Sequence, residues 1–179
     1  MKTLVIVEHD NNSIKGGTYN TITAASKLSG EITLLIAGSA IDSVISEAQS
    51  IDGISNILKC DNEIYSNFIA EDLSALIASK KGEFTHILAP SSTFGKNLMP
   101  RVSAKLDTQQ ISDIIAVESD DTFKRPIYAG SCIATVKSND DVKVITVRST
   151  AFDAVSLGNS GVSVSDIDSI DSMGISEFI

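Results

Sequence analysis

The sequence predicts an α/β fold: a three-layer α/β/α, doubly wound, mostly parallel sheet with strand order about 3-2-1-4-5, and antiparallel strands added after Asp107. Three observations lead there. Short β-branched runs alternate with longer segments of helical period over the first hundred residues, as a sheet with crossover helices requires. After Asp107 the strand-like runs follow one another with only turn chemistry between them. The chain has 179 residues, 42% of them hydrophobic and 21% charged, which is enough for one core and too few for two ordinary domains.

The first strand is read at Thr3 to Val7. After a polar loop holding Asn11, Asn12, Gly16 and Gly17, the segment Tyr19 to Leu28 carries Ile22, Ala25 and Leu28 at intervals of three, one apolar helical stripe that Gly30 ends. Ile32 to Ile36 is the second strand. Asp42 reads as an N-cap before Val44, Ile45 and Ala48, and Ile54 to Leu58 is the third strand. The next helix has Glu71 and Asp72 in its first turn, Leu73, Leu76 and Ile77 as its stripe, and Lys80 and Lys81 before Gly82, so charges oppose the dipole at both ends. Thr85 to Ala89 is the fourth strand. From Phe94 to Leu106, Leu98, Val102 and Leu106 recur every four positions, and Pro100 predicts a kink or a late start.

Beyond Asp107, Ile111 to Glu118, Phe123 to Ala129, Cys132 to Lys137 and Val142 to Arg148 read as strands separated by Asp120-Asp121 and Asn139-Asp140, an expected antiparallel extension of the sheet. From Ser156 onward Ser, Gly and Asp dominate, and Val162, Val164, Ile167 and Ile170 are too diluted to promise much burial. The expected division is therefore a domain over 1–155 and a linker or tail over 156–179.

Fourteen basic against 23 acidic residues give a net charge of -9, which repels phosphate backbones and anionic membranes and argues against nucleic acid as a partner. The two cysteines, Cys60 and Cys132, lie in apolar runs and read as buried thiols of a reducing compartment rather than a disulfide. The apolar run Leu4 to Val7 is too short for a signal segment and meets Glu8-His9-Asp10 at once, so the chain reads as cytosolic or as a mature form that has lost a targeting peptide.

Strand order reversing beside the first strand would bring the loops after strands one and four over a crevice able to take a nucleotide. Val7, Glu8, Ser91, Ser92 and Gly95 are the candidates there, with hydroxyls and backbone N–H groups for a phosphate and Lys96 as a nearby charge. The loop matches neither the Walker pattern nor the dinucleotide fingerprint. Ser-Ser-Thr before a helix also serves ordinary capping, and Glu8 would repel phosphate. His9 and His86 have no ligand partner at helical spacing, so no metal site is expected. His9, Asp10 and Ser91 could form a hydrolytic triad, yet no nucleophile elbow is present, and no catalytic residue is assigned. Arg125 and Arg148 on strand segments are expected to pair with carboxylates such as Asp113 or Asp153, either within the chain or at a subunit interface.

Three stretches carry a family resemblance: LVIVEH at Leu4 to His9, FGKNLMPRVSAKL at Phe94 to Leu106 followed by ISDII at Ile111 to Ile115, and IYAG at Ile127 to Gly130 leading into VKVITVRSTAFDA from Val142. They resemble the amino-terminal domain of the electron transfer flavoprotein α-subunit over roughly the first 155 positions. The resemblance implies an electron carrier rather than an enzyme, paired with a β-subunit and passing electrons from flavin dehydrogenases to a membrane quinone reductase. It implies a bacterial cytoplasmic or mitochondrial matrix location, FAD held mainly by a second α-subunit domain after a Ser-rich linker, and AMP in the β-subunit. The family residues that contact the isoalloxazine ring and the pyrophosphate have no counterparts in this sequence, so the chain is not expected to retain FAD well. The domain then acts as a scaffold for assembly through its exposed sheet surface and the helix at Asn97 to Leu106. The alternative is a stand-alone adenine-nucleotide-binding module using the crevice residues named above.

Overall fold

Four runs rich in Val, Ile and Leu bury both of their faces, which only the interior of a sheet covered on two sides permits. In the computed structural model, which describes residues 1–158 and 161–179, these are β1 (Lys2–Ile6), β2 (Glu31–Gly38), β3 (Asn56–Asp61) and β4 (His86–Pro90). They are parallel and lie in the order 3-2-1-4, so the predicted α/β class with its mostly parallel sheet is found. The helices α1 (Gly16–Ala25) and α2 (Asp42–Ala48) cover one face, with Ile22, Ala25, Val44, Ile45 and Ala48 in one apolar cluster. On the other face, α3 (Ala70–Ser79) and α4 (Thr93–Leu106) bury Leu73, Leu76, Ile77, Leu98, Val102 and Leu106.

Two local expectations change. Asp42 makes no capping bond to α2; its carboxylate accepts from Lys59 Nζ at 2.6 Å instead. The helix α4 starts at Thr93, ahead of Pro100, because Ser92 caps it by accepting from Gly95 N–H at 3.3 Å. Pro100 and Lys96 both face solvent, so water can take the bond that the carbonyl of Lys96 loses.

After α4 the strands divide rather than extending the sheet together. β5 (Gln110–Ile114) is parallel and forms one edge, β6 (Ala116–Ser119), β7 (Thr122–Ile127) and β8 (Cys132–Lys137) make a separate antiparallel sheet, and β9 (Lys143–Val147) returns between β4 and β5, parallel to both. Val144, Ile145 and Val147 are fully buried, and a slot inside the sheet is the place that covers both their faces. Most of β8 is exposed, Cys132 included, so only Cys60 is the buried thiol expected of the pair.

The described part of the 156–179 segment also departs from expectation, whereas positions 159 and 160 lie outside the described residues. β10 (Ser163–Asp166) pairs in parallel with β3 as the sheet's far edge, Val162 is buried, and Ile167 and Ile170 pack against the core. Parallel pairing needs backbone rather than apolar side chains, so a Ser-rich strand can still dock.

Candidate functional site

The chain runs from β1 outward through β2 and β3 and then crosses to β4 on the other side of β1, so the topological switch lies between β1 and β4. At their carboxyl ends the structure brings together the crevice residues singled out from sequence. Val7 is buried and donates its N–H to Leu35 O at 3.0 Å. Glu8 receives Ser92 Oγ on its carboxylate at 2.7 Å, and its own N–H is held by Thr18 Oγ1 at 3.1 Å. Ser92 thus both donates to Glu8 and caps α4.

Gly95 has no room for a side chain: a Cβ there would stand 1.9 Å from Pro90 O. The missing side chain lets α4 press on the end of β4. A phosphate entering this crevice would meet the Glu8 carboxylate beside the N-terminus of α4. That carboxylate opposes the negative charge of a diphosphate.

Beside this crevice lies a second polar group. Asp113 sits at an irregularity in β5 with left-handed backbone (φ 60°), its N–H donating to Thr146 Oγ1 at 2.8 Å. That turn aims its carboxylate at Arg148, which donates from Nε at 3.0 Å and also from Nη2. Burial pushes the Asp113 carboxyl up, but the Arg148 guanidinium, with Ser91 and Lys96, outweighs it and holds the group below the usual carboxylate range. Ser91 Oγ is buried outside hydrogen-bonding geometry with any described group, yet close enough to Asp113 to help lower it. The pairing of Arg148 with Asp113 is thus found, whereas Arg125 has a buried Nε without a partner.

His9 is buried, with Nε2 at 3.1 Å from Ala37 O and Nδ1 accepting from Asn11 N–H at 3.1 Å. Its ring meets Phe68 edge to face at 5.0 Å. Burial pushes its pKa down to about 4, so the imidazole is neutral at pH 7. Asp10 bonds Ser13 and Lys15 instead. With both ring nitrogens on backbone, His9 is not joined to Ser91 and the triad does not assemble. Asn11 and Thr18, which fasten this loop, were not singled out from sequence; only the clustering of polar residues after the first strand hinted at them.

At the opposite ends of the strands an open depression of ≈ 650 Å³ is lined by His86, Asp120, Asp121, Asp140 and Lys143 among others. Several of its polar groups are engaged: His86 Nε2 with Asp120 O at 2.7 Å, Asp121 with Ser119, Thr122 and Lys137, and Asp140 with Gln109. Among the described residues no group of three His, Cys, Asp or Glu could hold a metal ion, and no helix is long and apolar enough to cross a membrane.

The electron transfer flavoprotein domain matches residues 3–172. An electron transfer flavoprotein subunit alpha from Pseudomonas aeruginosa is 45% identical over 179 residues, which is all of this chain and 58% of that protein. The mitochondrial subunit alpha of Dictyostelium discoideum is 49% identical over 158 residues, covering 84% of this chain and 44% of its own length. The Paracoccus denitrificans subunit alpha is 40% identical over 158 residues, 88% of this chain and 51% of its own length. The chain thus spans about half the length of the relatives it matches, and within that span it belongs to the electron transfer flavoprotein domain family.

Proposed function

We propose that this chain is the amino-terminal scaffold of an electron transfer flavoprotein α-subunit, with a domain over 1–155 and a connecting segment over 156–179. In the assembled carrier, electrons pass from flavin dehydrogenases to a membrane quinone reductase; FAD is held by a following domain and AMP by the β-subunit partner. The observation that carries this reading is the Glu8 carboxylate held by Ser92 in the β1–β4 crevice, where it opposes phosphate, in a chain whose relatives are named as subunits of a flavoprotein. A domain whose crevice opposes the ligand its topology would take serves by geometry, holding other parts at fixed positions.

Two exposed regions suit assembly. Along α4, Asn97, Arg101, Ala104 and Lys105 face solvent, and on the small sheet Tyr128 is 79% and Ile133 61% exposed. Apolar side chains of that size held at the end of an ordered hairpin are what a subunit interface covers. Co-expression with the cognate β-subunit tests the reading. The β-subunit should copurify with this chain and with a longer one that includes the following domain, while flavin absorbance should accompany only the longer one. Stoichiometric FAD on residues 1–179 alone, or failure of the β-subunit to copurify with either form, would overturn it.

A further inference from the structure

Residues 162–173 run as a strap from the sheet edge to the start of α3. Gln49 Nε2 holds Val162 O at 3.1 Å, β10 pairs with β3, and Ile167 N–H donates to Lys59 O at 2.8 Å. Asn62 Nδ2 then donates to Ser169 Oγ at 3.0 Å, and Ile170 N–H donates to the hydroxyl of the fully buried Tyr65 at 3.2 Å. The strap ends on Asp72, whose carboxylate accepts Met173 N–H at 2.7 Å and Ser172 Oγ at 3.2 Å. Asp72 is only 3% exposed, and a carboxylate so covered needs donors; those recorded come from the strap.

The attachment is polar and one-sided. Every residue of β10 is exposed, Val162 is the only buried apolar side chain of the strap, and Ile167 and Ile170 are half-buried. Opening it would expose Val162, Ile167, Ile170 and the hydroxyl of Tyr65 and would return Asp72 to water, a small apolar area beside that of the core, so it costs far less than opening the core. From this we infer that residues 162–173 are a clasp that opens as a unit separate from the domain, with Asp72 as its latch. Closed, the clasp fixes where the following chain leaves the domain, beside the start of α3. Open, it releases about a dozen residues with a reach on the order of 40 Å. Its use in placing a following domain rests on the function proposed above; the opening itself does not.

Amide hydrogen exchange on residues 1–179 tests the clasp without flavin or partner. Amides of 164–173 should exchange at least about tenfold slower than in an unstructured peptide and about a hundredfold faster than those of β1 and β2. Asp72→Ala should speed strap exchange about tenfold or more and leave β1 and β2 unchanged. Should Asp72→Ala also loosen α3, Ile167→Pro, which removes the bond to Lys59 and leaves α3 intact, must free the strap alone. Strap amides at the unstructured rate, strap protection unaltered by Asp72→Ala, or strap and core losing protection together in Ile167→Pro would each overturn the inference.

Discussion

At His9 burial and hydrogen bonding set opposite demands on one ring. Desolvation lowers its pKa from 6.5 to about 4 against the raising effect of Ala37 O and Asp10, with Lys15 lowering it slightly further. A base with a depressed folded pKa binds fewer protons folded than unfolded between these values, so stability falls as pH drops through that window. By pH 4.5 the loss should be about 2 kcal/mol, seen as a lower urea midpoint, and His9→Gln should flatten this part of the profile. An unchanged slope in the variant would place the pH dependence elsewhere. Gly95 presents a second contest. Replacing it by Ala gains about 1 kcal/mol of helix propensity, but the new Cβ meets the backbone oxygen of Pro90 and forces α4 off β4. Overpacking against backbone should win, with a net loss of ~2 kcal/mol in chemical denaturation and a lower Tm. Both residues were visible in the sequence as members of polar loops after strands. Their partners Ala37 and Pro90 were not, because those contacts are with backbone oxygens that no side-chain pattern marks.

Elements with a buried stripe were legible, since Leu73, Leu76 and Ile77 or Leu98, Val102 and Leu106 state their period openly and all are buried. The position of β9 was not, because a five-residue strand with three apolar side chains fits an edge or an interior slot equally well and only the available neighbours decide. The cost of that choice is carried by β5. To pair with β9 and still leave for the small sheet, it breaks register between Ile111 and Ile114 and places Asp113 in left-handed backbone. Asp113→Ala removes the Arg148 bonds and puts at φ 60° a residue without a polar side chain to tolerate it. Because both partners are partly exposed, the ion pair itself is screened, and the loss should be about 1–2 kcal/mol in urea. Asp113→Asn tolerates the same backbone conformation and should lose less than half as much; equal losses would show that the ion pair alone matters.

For the molecule as a whole, net charge and the Glu8 carboxylate in the crevice point the same way. A nucleotide approaches a chain of net charge -9 and, at the β1–β4 switch, finds Glu8 already holding the Ser92 hydroxyl. To bind there a phosphate must take the hydroxyl from a carboxylate 2.7 Å away and leave that carboxylate desolvated beside a second negative charge. Lys15, whose N–H donates to Glu8 O, has its ammonium on Asp10, and Lys96, one turn into α4, is exposed. Calorimetric titration of residues 1–179 with AMP, ADP and ATP should therefore give no heat of binding up to millimolar nucleotide. Glu8→Gln removes the charge but keeps an oxygen that Ser92 can donate to, so it should fold and still bind none, because α4 is packed at Gly95 directly on Pro90 and the loop carries no phosphate-binding fingerprint. Binding by the wild type would restore the stand-alone nucleotide module. Binding by Glu8→Gln only would show that one carboxylate, rather than the packing of α4, keeps this crevice empty of phosphate.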